Sequence, residues 1–283
     1  MLTSQSLDST YNVFGPEKAI EMFAEAGFDA FDYSMFDMFD RNHPLQQPDY
    51  KDYIAKLKTV ADRCGIVCNQ AHAPFGSSFG EPGEDEYIFQ TIVRAMESAA
   101  LLGAKIIVVH PKQHLEYWTH VEELKEMNID FYKRLIPYCE KFNIKVAAEN
   151  MFQIRDGVVV DSTCADPKEF REYLDLVDSP WIVACMDVGH VAITHHPYDE
   201  YVDCLGDKLQ AIHLHDNDCN YDYHIAPCTG NIDMDFVADQ LKRIGYKGDI
   251  TCEVVIHDIS NEEFPEKLKF ICDRAGEIRE KIL

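Results

Sequence analysis

Basic residues are scarce in this chain: 26 lysines and arginines stand against 50 aspartates and glutamates, a formal net charge of −24. A field of that sign repels polyphosphates and anionic lipid surfaces, so nucleic acid and membranes are disfavoured partners. No apolar run approaches the roughly 20 residues of a membrane-spanning helix. The opening MLTSQSLDSTYNVFGPE has neither the basic nor the apolar region of a secretion signal, and a cytoplasmic protein is expected. The ten cysteines form no CxxC pair, and Cys68, Cys185 and Cys252 lie in strand-like runs where a reduced thiol packs as a small hydrophobe. A disulfide framework is therefore not expected. No GxGxxG or P-loop follows any strand-like run, which argues against a nucleotide cofactor and against an open doubly wound sheet.

What is present suits a folded chain: 46% of the 283 residues are hydrophobic and 27% charged. Short runs rich in β-branched residues recur at 65–71, 105–109, 144–148, 181–186, 209–214 and 248–254. Longer stretches with helical spacing separate them, at 85–102, 120–142, 167–176 and 235–244. Upstream, residues 16–26 read as a helix closed by Gly27, 28–35 as a strand, and 51–63 as a helix closed by Cys64-Gly65, with a weak first strand at 2–7. Eight strands alternating with helices imply a parallel sheet closed into one (β/α)8 barrel, with a helix at 262–282 completing the ring. No Pro/Gly/Ser-rich linker divides the chain, so residues 1–283 are expected to form a single domain.

In such a barrel the active site lies at the C-terminal strand ends. NQAH presents His72, KIIVVH His110, IKVAAE Glu149, IVACMD Asp187, QAIHLH His213 and His215, and ITCE Glu253. A single strand-end His or Asp is most often a hydrogen-bonded loop residue; six consecutive strands ending this way are not. Side chains two apart share a face of a strand, so Ala211, His213 and His215 point inward together, as do Cys185 with Asp187, Thr251 with Glu253 and Ala147 with Glu149. Carboxylates and imidazoles turned into a barrel mouth are costly unless compensated, and a divalent cation is the simplest compensation.

The segments AHAPF, VVHP, AAEN, MDVGH, HLHDND, DYH, PCTGNID and TCE, in this order, resemble the xylose isomerase-like TIM-barrel superfamily across about residues 15–275. That group includes sugar and inositol isomerases and epimerases, hydroxypyruvate isomerase-like proteins and, more distantly, endonuclease IV. The resemblance implies one Mn²⁺, Mg²⁺, Co²⁺ or Zn²⁺ held by Glu149, Asp187, His213 and Glu253. It also implies that Glu149 and Glu253 are catalytic: one removes the proton next to a substrate carbonyl and the other returns it, through an enediolate stabilised by the metal. His190 would bind a substrate hydroxyl, with His72 and His110 as further substrate contacts. The substrate class would be a small sugar, polyol or keto acid, and the same residues would support a dehydratase. His72, His110, His190, Asp222 and His224 fall on positions that complete a trinuclear zinc site in endonuclease IV. A zinc phosphodiesterase is thus the second class, and the acidic charge weighs against it.

The chain also departs from the ketose 3-epimerase pattern. Arg155 stands where those enzymes carry a substrate-contacting Glu, Cys219 where they carry an Arg, and Cys228 replaces the first Gly of a PGxGxID turn. Arg155 and Lys112 are candidates to hold an anionic group of the substrate. Phe28 and Phe31 read as core, Phe36 and Phe39 as walls of a sugar pocket, and His195 and His196 as loop residues. Barrel relatives often form dimers or tetramers, which leaves homo-oligomerisation open.

Overall fold

The computed structural model describes residues 1–283, and its elements follow the alternation of the sequence. The strands are β1 (Thr3–Gln5), β2 (Ala30–Ser34), β3 (Val67–His72), β4 (Ile106–Val108), β5 (Lys145–Glu149), β6 (Phe152–Arg155), β7 (Val158–Asp161), β8 (Ile182–Asp187), β9 (Leu209–His213) and β10 (Ile250–Cys252). The helices are α1 (Asp8–Phe14), α2 (Pro16–Ala26), α3 (Tyr50–Cys64), α4 (Pro82–Leu102), α5 (Tyr117–Phe142), α6 (Pro167–Val177), α7 (Val188–Ile193), α8 (Tyr198–Leu205), α9 (Met234–Arg243) and α10 (Phe264–Ile282). No helix is long and apolar enough to cross a membrane. All ten cysteines are free.

Six parallel strands pair in the order β2-β3-β4-β5-β8-β9, and β1 pairs in parallel with β10. Single parallel bridges, Ser6 to Asp32 and Leu214 to Cys252, join the two sheets and close the (β/α)8 ring. The first and last strands are also tied by side chains. Gln5 Nε2 donates to the Val254 carbonyl at 2.7 Å, the Leu2 N–H donates to Asp249 at 2.7 Å, and Ser4 and Thr251 bond through their hydroxyls at 3.0 Å.

Strand parity divides the apolar residues into two cores. Alternate residues of the barrel strands pack outward against the helices, Ile107, Val146, Ala184, Ile212 and Cys252 among them. The opposite set, Val108, Ala147, Val183, Cys185 and Ala211, forms a separate cluster inside the barrel. The rest of the interior is polar: Asp32 accepts from Gln70 Nε2 at 2.9 Å and is almost fully buried. A cavity of about 860 Å³ opens at the other end of the barrel from the strand C-termini, lined by Val67, Asn69, Lys105, Gln210 and Lys247.

Three features had no counterpart in the sequence reading. The antiparallel hairpin β6–β7 interrupts the strand-helix alternation directly after β5, pairing Phe152 with Asp161 and Arg155 with Val158. Helix α1 precedes α2, and α7 and α8 fill the connection after β8.

Glu169 on α6 is largely buried; its Oε1 accepts from Tyr117 Oη at 2.8 Å and its Oε2 from the Cys164 N–H at 3.3 Å. Burial pushes its carboxyl up to about 7, against the hydrogen bond from Tyr117. A carboxyl raised on folding favours the native state while protonated, and that contribution is withdrawn as pH climbs from the ordinary carboxylate range through 7. The stability of the wild type relative to Glu169→Gln is therefore expected to fall between pH 5 and pH 8 in urea titrations. A difference that stays constant or grows over that window would contradict the assignment.

Candidate metal centre

Parallel register brings the strand ends into one layer: Ser34 lies beside His72, and Asp187 beside His213. Glu149, Asp187, His213 and Glu253 meet there with one ligand atom from each within 4.8 Å of the others, all four residues buried. His213 Nδ1 lies 2.9 Å from Glu149 Oε1, 3.3 Å from Glu253 Oε2 and 3.9 Å from Asp187 Oδ2. On one flank, His110 Nε2 approaches Glu149 Oε2 at 3.0 Å, and His72 Nε2 is 3.5 Å from that oxygen and 3.1 Å from His110 Nε2. On the other, Asp222 Oδ2 lies 2.9 Å from His224 Nε2 and 3.3 Å from His190 Nε2. Thus the expected acids and histidines enter one cluster, and Arg155 and Lys112 do not. Arg155 is exposed on the β6–β7 hairpin, its guanidinium 5.0 Å from the Trp118 ring. Lys112 is half-buried with its ammonium 3.9 Å from Asp85.

Local hydrogen bonds fix the ligand geometry. Asp187 caps α7 by accepting the His190 N–H at 2.6 Å, and Asn150 holds the Asp187 backbone from both sides, at 2.8 and 3.0 Å. Three imidazoles have Nδ1 on a main-chain carbonyl: His72 on Ala73 at 2.6 Å, His190 on Asn150 at 2.7 Å and His224 on Glu253 at 2.7 Å. Since a carbonyl can only accept, Nδ1 carries the proton, and in the neutral ring Nε2 presents a lone pair to the cluster. His224 holds a left-handed backbone, φ 46°, to reach its place.

The sequence reading did not assign the aromatic wall in full. Phe36, anticipated, and Phe75, not anticipated, stack at 4.0 Å and 10°. Both meet the His72 ring edge-on, at 4.9 and 5.3 Å, and Phe75 also lies over His110 at 5.2 Å. Phe152 of the hairpin packs edge-on against His190 at 4.9 Å. Phe39 stands one step away, against Phe79 at 6.1 Å. Phe28 and Phe31 are buried in the core as expected.

No lysine or arginine reaches the cluster acids. The only basic groups within ion-pair distance of Glu149, Asp187, Asp222 and Glu253 are imidazoles. Burial opposes ionisation of Glu149, yet His213 and His110 hold its carboxyl well below the usual range; His190 does the same for Asp187 and Asp222. Conversely, against the cost of burial, Asp222 and Glu253 raise His224 to about 9. Glu149 Oε2 and Asp222 Oδ1 are buried without a hydrogen-bond donor. Unpaired buried carboxylate oxygens and lone pairs turned inward are the donor set of a cation, and a carboxylate-rich set with imidazole suits Mn²⁺, Co²⁺ or Zn²⁺.

The loop after β9 is held by Asp216, whose carboxylate accepts from Thr229, Gly230 and Ile232 main-chain N–H groups at 3.1, 2.8 and 3.0 Å. Cys228 keeps the glycine-type conformation of this turn, with φ 65°. At Gly230 a Cβ would overlap the Asn217 carbonyl and the Asp216 carboxylate.

A closed parallel barrel whose strand ends converge on acids and imidazoles defines the class. The chain belongs to the xylose isomerase-like TIM barrel family, whose family model matches residues 20–274. It is 29% identical to an uncharacterised protein of Methanocaldococcus jannaschii, covering 95% of this chain and 91% of that one. It is 25% identical to fructoselysine 3-epimerase of Escherichia coli O157:H7, over 64% of each. It is 24% identical to a probable endonuclease 4 of Metamycoplasma arthritidis, over 59% of this chain and 60% of that one. Among solved structures, a D-tagatose 3-epimerase-like protein superposes with a TM-score of 0.76 at 27% identity, each chain fully covered.

Two substitutions in the Asp216 loop are expected to act in opposite directions. Cys228→Gly should leave stability unchanged or raise it by up to about 1 kcal/mol, by relieving a left-handed side chain. Gly230→Ala should cost about 1–3 kcal/mol by overpacking. Thermal unfolding of the two variants against wild type checks both signs.

Proposed function

We propose that this protein is a divalent-metal-dependent isomerase or epimerase of a small sugar, polyol or keto acid. The observation that carries the reading is the convergence of Glu149, Asp187, His213 and Glu253, two of them glutamates that can serve opposite directions of proton transfer. Family membership and the resemblance to sugar epimerases support it. When bound, the cation supplies Lewis-acid polarisation of a carbonyl and its neighbouring hydroxyl.

The remaining work falls to the chain. Glu149 and Glu253 would flank the substrate carbon, one accepting its proton and the other delivering a proton to it. His190 would orient a substrate hydroxyl through Nε2, while Phe36, Phe75 and Phe152 exclude water and pack against the carbon skeleton. With no lysine or arginine against the cluster acids, a neutral or singly charged substrate fits better than a polyphosphate. Loss of a β-hydroxyl after proton removal would turn the same machinery into a dehydratase, distinguished by its product.

A second reading has its own observation. The groups His72–His110–Glu149 and His190–Asp222–His224 flank the central set and would let the site hold the two or three zinc ions that a phosphodiesterase resembling endonuclease IV would need. The charge of −24 opposes a nucleic acid substrate.

Elemental analysis of protein purified without added metal is expected to find bound Mn, Co or Zn, with activity abolished by chelation and restored by reloading. With keto sugars, polyols and keto acids in deuterium oxide, wild type should exchange one carbon-bound hydrogen. Glu149→Gln and Glu253→Gln should each slow exchange by about 100-fold or more. Metal-replete variants that exchange at the wild-type rate would refute the two-carboxylate mechanism. Two or three zinc ions together with phosphodiester cleavage would favour the second reading.

A further inference from the structure

His215 has the parity of His213, and strand alternation cannot tell the two apart. Their surroundings differ. His215 is fully buried, and its Nε2 lies 3.0 Å from each oxygen of Asp187, closer than His213 comes. The same atom is 3.7 Å from Asp222 Oδ1, which has no hydrogen-bond donor. The ring lies flat on His224, centroids 3.9 Å apart and planes at 13°.

Its Nδ1 is buried with no partner, unlike the Nδ1 atoms of His72, His190 and His224. A bare imidazole lone pair is cheaper to bury than an unanswered N–H, so the neutral ring keeps its proton on Nε2, where Asp187 accepts it. In its neutral form His215 therefore carries the reverse tautomer of the three carbonyl-anchored histidines: when neutral they turn a lone pair on Nε2 to the cluster, and it turns an Nε2–H.

The chain makes room for this ring. Gly189 on α7 lies against it, and a Cβ at 189 would overlap the His215 imidazole. The glycine of Asp187-Val188-Gly189-His190 thus admits the donor to the very carboxylate that opens the motif.

We infer that His215 is a positioning residue of the metal centre: by donating Nε2–H to both oxygens of Asp187 it fixes that carboxylate for the central cation and ties it to the Asp222–His224 flank. The inference rests on the metal reading above and not on the reaction assigned to it.

The test measures metal binding rather than turnover, by chelator competition with Zn²⁺ and by the visible spectrum of the Co²⁺ form. His215→Phe keeps the stacking and volume but removes the donor, and should weaken central-site affinity 10- to 100-fold and alter the Co²⁺ spectrum. His215→Gln restores an N–H near the Nε2 position and should recover most of the loss. Gly189→Ala, which displaces the ring without removing a polar group, should resemble His215→Phe. Affinity and spectrum of folded His215→Phe matching wild type would overturn the inference.

If His215→Phe does not fold, nitrogen-15 spectra of the zinc-loaded wild type decide the question. A proton on His215 Nε2 supports the donor role. A proton on Nδ1, or ¹¹³Cd coupling to a His215 nitrogen, would overturn it in favour of direct ligation. A wild type that binds no divalent metal would overturn the metal reading and this inference together; normal metal binding without isomerase activity would overturn only the proposed reaction.

Discussion

Four carboxylates share a largely buried volume at the barrel mouth with only imidazoles opposite them. That constraint organises the surrounding structure. Carboxylates this deep are tolerated only if every neighbouring donor is aimed, and the chain aims them with main-chain groups. Asn150 clamps the backbone of Asp187, carbonyls of residues 73, 150 and 253 set three imidazole tautomers, and Asp216 locks the loop behind them. The barrel supplies the convergence, because parallel strands place all their C-terminal ends on one side.

Much of this was legible because strands encode direction with a period of two. Inward parity correctly separated Ala147, Cys185 and Ala211 from Val146, Ala184 and Ile212, which the structure places in different cores. The same rule pointed the strand-end acids and histidines at one another. It failed where local pairing or tautomer decides the outcome. The β6–β7 hairpin lies within a stretch that periodicity left as a connection, and it carries Arg155 out to Trp118 instead of into the mouth. Phe75 sits on a loop with no periodicity to orient it. His213 and His215 are equivalent by spacing, and only the partners of their ring nitrogens separate them: His213 Nδ1 faces Glu149, and His215 Nε2 faces Asp187.

The aromatic residues complement the charged ones. Phe36, Phe75 and Phe152 line imidazole faces and edges, so the polar cluster has an apolar wall beside His72, His110 and His190. The chain as a whole is strongly acidic, and its net field favours cations and small uncharged ligands over polyanions.

The ring is sealed by β1 and β10: Ser4 bonds Thr251 across 247 positions of sequence, beside the Gln5–Val254 and Leu2–Asp249 contacts. During synthesis the first strand must therefore wait until residues 250–252 have been made before its partner exists. Until then the growing sheet carries an open edge, the kind of surface that recruits another chain. Loop closure over that separation is an entropic cost met only at the end, so barrel completion, rather than helix or single-strand formation, is expected to limit the folding rate and to be the step at which chaperones matter most.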